Sequence, residues 1–184
     1  MFEAILTAIW FFLPAGLANT APVIAMKIPF LKKFNAPLDF GIEIGGARLF
    51  GKNKSIRGLI AGIIVGIVVV LLQQNIYMQS DYLKESINLD YSQINPLILG
   101  SLFALGALLG DAIESSFKRR IGVAPGKAWF PFDQLDYIIG GVAFTLFYVQ
   151  LNLLEYVLIF LIWFTLHPIS TVIGYFLKLK ESPI

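Results

Sequence analysis

Long apolar runs alternate with short polar segments along the whole chain, and the runs are too long for strands or helices of a soluble core. A membrane-spanning helix needs about 20 mainly apolar residues to cross about 30 Å of hydrocarbon. Runs that meet or approach this length cover residues 5–26, 59–78, 97–117 and 153–177. A fifth run, 137–151, becomes adequate if Asp133, Gln134 and Asp136 belong to its first turn. The pattern predicts an all-α integral membrane protein with five transmembrane helices in a single domain, 1–184.

Composition supports a membrane protein and removes several kinds of chemistry. The chain is 57% hydrophobic and only 14% charged, with a mean hydropathy of +0.76. A soluble domain of this size would rarely be so apolar. Cysteine is absent, which excludes disulfides, thiolate metal sites and a cysteine nucleophile.

The positions of lysine and arginine predict the orientation in the membrane. Short cytoplasmic loops collect these residues. With five crossings, all of the 14 lysines and arginines except Lys84 fall on one side. The N-terminus is therefore predicted outside and the C-terminus in the cytoplasm, with two functional loops on the cytoplasmic side of the cell membrane.

The first cytoplasmic loop, residues 36–58, interleaves glycines with basic residues. The glycines are at 41, 45, 46, 51 and 58, and the basic residues are Arg48, Lys52, Lys54 and Arg57. Glycine lets backbone N–H groups approach an anion, while lysine and arginine supply charge. The loop therefore suits a polyphosphate, although the Walker A spacing is absent. Lys54 and Arg57 are predicted at the aqueous surface. The alternative is a positive loop that sets topology or contacts anionic lipid.

Four carboxylates are predicted close to this loop. Asp111 and Glu114 end the third span, and Asp133 and Asp136 open the fourth. Simple capping of a helix N-terminus explains one of the acids in the second pair. Four acids at two adjacent helix ends would repel each other unless a cation lay among them. Oxygen ligands near a phosphate site suit Mg²⁺, so we predict a metal–phosphate centre.

Four motifs in these loops carry a resemblance to a known family. They are "PLDFG", "GARLFGKNKSIRG", "GDAIESSFKRRIG" and "FPFDQLDYIIGG". Together they resemble the archaeal CDP-archaeol synthases, relatives of the CDP-diacylglycerol synthases, over nearly the whole chain. The longer signature of the bacterial branch is missing, and the role of His167 in the last span stays open.

The resemblance implies a CTP:lipid-phosphate cytidylyltransferase that uses Mg²⁺. Its substrates would be CTP and an isoprenoid ether-lipid phosphate, 2,3-bis-O-geranylgeranylglycerol 1-phosphate, and its products a CDP-archaeol-type lipid and pyrophosphate. On this resemblance we assign catalysis to Asp111, Lys118, Asp133 and Asp136, and metal binding to Asp111, Glu114, Asp133 and Asp136. We assign nucleotide or phosphate binding to Asn19, Asp39, Gly51, Lys54, Arg57, Gly58, Arg119 and Arg120.

Two other classes of membrane protein are alternatives on the sequence. A cation transporter could use Asp111 and Glu114 as an intramembrane ion site, but the outer halves of the spans are almost purely apolar. A CDP-alcohol phosphotransferase also uses Mg²⁺ and carboxylates, but its sequence pattern is missing. Neither class explains the glycine-basic loop. The bilayer is the expected surrounding, no nucleic-acid partner is expected, and an oligomer is possible.

Overall fold

The computed structural model describes residues 1–51, 53–124 and 127–179, and the regular secondary structure in this part of the chain is mostly α-helix. The α-helices are α1 (Phe2–Lys27), α2 (Ile56–Gln79), α3 (Asp81–Ser86), α4 (Pro96–Arg120), α5 (Phe132–Thr145) and α6 (Leu153–Phe176). The loops contain two 3-10 turns, Pro29–Lys33 and Tyr91–Gln93, and an antiparallel hairpin of β1 (Glu43–Ile44) and β2 (Ala47–Arg48).

Within the described residues, four helices are long and apolar enough to cross a membrane: α1, α2, α4 and α6. They coincide with the four long runs predicted from the sequence, so the chain is a multi-pass membrane protein. Helix α5 corresponds to the fifth run but has only 14 residues. At 1.5 Å per residue it covers about 21 Å, less than the hydrocarbon core of about 30 Å. The five-span count and the orientation stay predictions.

The turn between α5 and α6 satisfies many of its own backbone donors. The N–H groups of Tyr148 and Val149 both donate to the Thr145 carbonyl, at 2.9 and 2.8 Å. The Leu151 N–H donates to the Tyr156 hydroxyl at 3.2 Å. A capping box between Asn152 and Glu155 then starts α6. This turn therefore depends little on water for its hydrogen bonds.

Helix α1 continues through Pro14 and Pro22 without a break. The prolines had favoured a bent or broken span, and a break is wrong. Each proline removes one backbone donor, but neighbouring turns keep theirs, and close packing holds the helix. The Phe11 and Phe12 rings contact the Phe103 ring of α4 edge-on, with centroids 4.9 and 5.7 Å apart.

Glycine contacts bring α4 very close to α2 on one side and to α5 on another. A Cβ atom added to Gly66 of α2 would lie 2.5 Å from the Gly100 carbonyl oxygen of α4. On the other side of α4, Cβ atoms added to Gly106 and Gly140 would each collide with the other residue's carbonyl oxygen. Such backbone contact is possible only without side chains. The contact between Gly106 and Gly140 holds α4 and α5 side by side. The acidic residues lie beside this contact, where α4 ends and α5 begins.

Candidate metal and phosphate site

The two loops predicted to carry the chemistry meet at one end of the helix bundle. The loop after α1 closes on itself just before α2, where Pro37 and Ser55 form an isolated antiparallel bridge. The Ile56 N–H donates to the Ala36 carbonyl at 2.9 Å. The Ser55 hydroxyl accepts from the Gly58 N–H and caps α2. The end of this loop therefore has a defined position beside the C-terminal part of α4.

Asp39 organises the loop from the inside. Its carboxylate is fully buried and forms an ion pair with Arg48. It also accepts backbone N–H groups from Gly41 at 3.0 Å, Phe50 at 3.1 Å and Gly51 at 3.3 Å. Gly41 and Gly51 have φ values of +86° and +92°, a region that favours glycine. Asp39 and Arg48 are therefore occupied in holding the loop, and Gly51 supplies one of its contacts.

The charge state of Asp39 makes this loop sensitive to acid. Burial alone would raise the pKa of Asp39, but hydrogen bonds from Gly41, Arg48 and Phe50 outweigh it and hold the pKa below its ordinary value of 3.8. A carboxyl with a lowered folded pKa stabilises the fold above its ordinary pKa, and loses this contribution as the pH falls through the folded value. The loop is therefore held firmly at neutral pH.

We expect Asp39→Ala to open this loop at pH 7, because several N–H groups and Arg48 lose their buried acceptor. A lost partner of this kind costs about 1–3 kcal/mol, so the Phe50 and Gly51 amides should exchange hydrogen about 5- to 150-fold faster. Glu43→Ala, at an exposed position of the same loop, is the control and should leave both amides unchanged. Equal exchange rates in wild type and Asp39→Ala would show that Asp39 does not hold the loop.

Three carboxylates form a cluster where α4 ends and α5 begins. Asp111 and Glu114 of α4 and Asp136 of α5 each offer an oxygen, and these atoms lie within 4.8 Å of one another. We call these residues the acidic triad. Glu114 is buried, and its Oε1 has no hydrogen-bond partner among the described residues. Among the residues that the structure describes, the Asp136 carboxylate accepts a hydrogen bond only from the adjacent Tyr137 N–H. An all-oxygen set that includes a buried oxygen without a hydrogen bond fits a divalent cation such as Mg²⁺.

Two lysines partly neutralise these acids. Lys54, just before α2, forms an ion pair with Asp111. Lys118 of α4 lies with its Nζ 2.6 Å from Asp133 Oδ1 and 3.6 Å from Glu114 Oε1. Asp133 also accepts the Trp129 N–H. Of the four carboxylates predicted as ligands, the structure thus groups three, and it joins Asp133 to them through Lys118.

The contact between Gly110 and α5 sets the position of Asp136. A Cβ atom at Gly110 would collide with the Asp136 carbonyl oxygen. We expect Gly110→Ala to push α5 outward and weaken Mn²⁺ binding by about 10- to 100-fold, as changes to residues that support metal ligands do. Electron paramagnetic resonance of free Mn²⁺ measures this. Ile113→Ala, at an exposed position of the same helix, should bind as wild type does. Unchanged Mn²⁺ affinity in Gly110→Ala would contradict the placement of Asp136 in the site.

Arg57 does not lie at the aqueous surface, so that prediction is wrong. Its side chain is buried and donates to the Leu31 carbonyl at 3.1 Å and to Asn35 Oδ1 at 3.0 Å. The reason is that the guanidinium ties the turn after α1 to the first turn of α2. Gly58, next to it, packs against Pro22 of α1. Arg57 and Gly58 thus hold the end of the first loop against α1 in this structure.

The other two arginines predicted to bind phosphate, Arg119 and Arg120, lie in the last turn of α4. Arg119 donates to the Val123 carbonyl, and the exposed Arg120 donates to the Ser116 carbonyl at 2.8 Å. Neither forms an ion pair among the described residues, so both guanidinium groups are available to bind an anion. Lys52 lies outside the described residues.

Two apolar grooves of about 450 Å³ each flank α1. One lies between α1 and α6 and is lined in part by Asn19, Tyr137, Trp163 and His167. The other lies between α1 and α2 and ends at Arg57. Asn19 therefore points to a groove and is not grouped with the acidic triad. Sequence reasoning missed both grooves, because the pattern of apolar residues does not show how closely neighbouring helices pack.

Comparisons with known proteins agree with the resemblance in the loops. The family described as CarS-like, CDP-archaeol synthase, matches residues 1–184. A CDP-archaeol synthase of Methanopyrus kandleri is 36% identical over 178 residues, covering 95% of this chain and 91% of that protein. One from Pyrococcus furiosus is 32% identical over 180 residues, covering 97% and 98%. A solved structure of an intramembrane enzyme for archaeal membrane lipid biosynthesis has a TM-score of 0.71 and 29% identity, covering 91% and 94%.

Proposed function

We propose a function for this chain from its family: it belongs to the CarS-like CDP-archaeol synthases. The proposed reaction transfers a cytidylyl group from CTP to a geranylgeranyl ether-lipid phosphate. The products are a CDP-archaeol-type lipid and pyrophosphate. The observation that carries the proposal is the acidic triad beside Lys54 and Lys118, in a chain that the family matches from end to end.

The chemistry requires charge neutralisation more than proton transfer. An oxygen of the lipid phosphate attacks the α-phosphorus of CTP, and the bond between the α-phosphorus and the oxygen bridging to the β-phosphorus breaks. The electron pair leaves with pyrophosphate. Because the nucleophile is already anionic, no strong general base is needed. Alignment of the two phosphates and neutralisation of their charge supply most of the catalysis.

The acidic triad would hold the Mg²⁺. When bound, Mg²⁺ supplies positive charge to the triphosphate oxygens and to the departing pyrophosphate. Lys54, Arg119 and Arg120 would bind phosphate oxygens, since each presents a cationic group at the same end of the bundle. Lys118 is held between Glu114 and Asp133 and would fix the orientation of both carboxylates. Asp39, Arg57 and Gly58 would act by shaping the loop.

The grooves beside α1 would receive the isoprenoid chains. The proposed lipid has two chains, and the two grooves are similar in volume. Tyr137 lines one groove and is adjacent to Asp136 in α5, which links that groove to the triad. A lipid could thus place its phosphate near the metal while its chains stay in the bilayer. The excess of basic residues in the loops supports a cytoplasmic position for this end.

A reconstituted assay tests the function. Purified protein with labelled CTP, Mg²⁺ and a geranylgeranyl ether-lipid phosphate should form a labelled CDP-lipid and pyrophosphate in equal amounts. The matching lipid alcohol, which lacks the phosphate, is the control and should give no product. A folded protein that binds CTP but forms no CDP-lipid under these conditions would refute the proposed reaction.

A further inference from the structure

Lys54 forms an ion pair with a residue that is also needed by the metal. Its ammonium contacts Asp111 Oδ2, and Asp111 belongs to the acidic triad. The two side chains are 21% and 28% exposed, so water and solutes reach the pair. Lys118 differs, because its side chain is only 8% exposed and lies between two acids. Of these two lysines, Lys54 is the one that can leave its partner without stranding a buried charge.

The backbone of Lys54 is fixed while its head group is not. The Leu38 N–H donates to the Lys54 carbonyl at 2.8 Å, and the Lys54 N–H donates to the Gly51 carbonyl at 3.3 Å. Ser55 then caps α2. A lysine has a flexible four-carbon stem and a compact charge. Its ammonium can therefore swing to a new partner without rearrangement of the loop.

A bound divalent cation would disturb the pair between Lys54 and Asp111. The ligand oxygens of octahedral Mg²⁺ lie at 2.0–2.1 Å, which places opposite ligands about 4.2 Å apart. The triad oxygens lie within 4.8 Å of one another, which is close to this separation. An ammonium on Asp111 would then lie a few ångströms from a doubly charged cation, and like charges at that distance repel strongly. The lysine and the metal thus compete for the same carboxylate.

We propose that Lys54 is an exchangeable counterion that couples metal binding to nucleotide binding. It neutralises Asp111 in the metal-free protein and moves to the triphosphate when a divalent cation occupies the acidic triad. This inference rests on the proposed function, since it takes a nucleoside triphosphate as the second partner. Release of Lys54 by the metal strengthens triphosphate binding. Because coupling between two ligands is reciprocal, triphosphate binding strengthens metal binding by the same factor.

One substitution should change the two binding equilibria in opposite directions. Lys54→Met keeps the length of the side chain and removes its charge. We expect it to bind Mn²⁺ alone about 5- to 10-fold more tightly than wild type, because no lysine competes for Asp111. With Mn²⁺ saturating the acidic triad, we expect it to bind CTP about 5- to 10-fold more weakly than wild type, because the triphosphate loses the cation that the metal releases. These factors are at the low end of coupling between two ligands. Mn²⁺ resonance and equilibrium dialysis of labelled CTP measure the two constants.

Two control variants isolate the effect of the pair. Lys33→Met removes an equal charge at an exposed residue whose ammonium lies 4.5 Å from the centroid of the Phe30 ring, and it should change neither constant by more than twofold. Lys54→Arg keeps the charge and should bind Mn²⁺ alone as weakly as wild type. A lysine that only supports the fold would weaken both equilibria when replaced by methionine.

The outcomes separate this inference from the function on which it rests. If Mn²⁺ binding is lost in Asp136→Asn but equal in wild type and Lys54→Met, the exchange is refuted and the metal centre stands. Unchanged CTP binding in Lys54→Met, or weaker binding of both ligands, also refutes the exchange. If wild type binds no Mn²⁺ that depends on Asp136, the metal centre of the proposed function fails.

Discussion

Asp136→Asn is expected to lower the rate of CDP-lipid formation by about a thousandfold. A metal contributes several kcal/mol of transition-state charge stabilisation, and each 1.4 kcal/mol is a factor of ten in rate. The asparagine keeps the shape of the side chain and can still accept the Tyr137 N–H, so only the charge is removed. Steady-state turnover with saturating CTP and lipid measures the effect.

The same variant should fold as well as wild type. Removing one of three close carboxylates relieves repulsion in the metal-free protein, so the melting temperature in chelator should be equal or higher. Asp81→Asn, at an exposed carboxylate of α3 that pairs with Lys84, is the control and should keep full turnover. If Asp136→Asn keeps more than a tenth of wild-type turnover, Asp136 is not a metal ligand.

Lys118→Met is expected to cost about 3–5 kcal/mol of stability, because breaking a buried ion pair leaves uncompensated charge. The Lys118 side chain is 8% exposed and is the cationic partner of both Glu114 and Asp133 among the described residues. Methionine fills a similar volume, so the loss reports charge more than packing. Thermal unfolding in detergent with excess chelator measures it.

A second variant tells this charge effect from a packing defect. Lys118→Met combined with Asp133→Asn removes one of the stranded carboxylates and should recover part of the lost stability, as the coupling in a double-mutant cycle. If the double variant is less stable than Lys118→Met by the full cost of Asp133→Asn alone, Lys118 and Asp133 are not coupled. Their ion pair would then contribute nothing to the fold.

The helices that span the membrane were predictable because length and hydropathy decide them. Four of the predicted runs coincide with α1, α2, α4 and α6 within a few residues. The approach of the two acidic pairs was also predictable, because each pair marks the end of a helix. Asp133 and Asp136 both lie in the first turns of α5, yet their partners differ. Asp133 turns to Lys118 and the Trp129 N–H, while Asp136 joins Asp111 and Glu114.

The basic residues of the first loop were harder to interpret, since composition does not tell a ligand contact from a structural one. Arg48 and Arg57 lie in the same glycine-rich segment as Lys54, but each holds the loop together. The contact between Asp39 and Gly41 did have a local signal. An aspartate two residues before a glycine is typical of an Asx turn. The contacts from Phe50 and Gly51 back to Asp39 depend on loop closure, which no local pattern encodes.

The shortness of α5 has a consequence for the lipid around the protein. Helix α2, with 24 residues, is about 36 Å long, whereas α5, with 14 residues, reaches about 21 Å. If α5 is the predicted fifth span, the hydrophobic height of the protein differs around its perimeter, and the bilayer would thin beside α5 to match it. Thicker membranes would then carry a larger elastic cost at this side, and the hydrogen-bonded turn after Thr145 would lie within hydrocarbon. We therefore expect membrane thickness to act on this protein through this one helix.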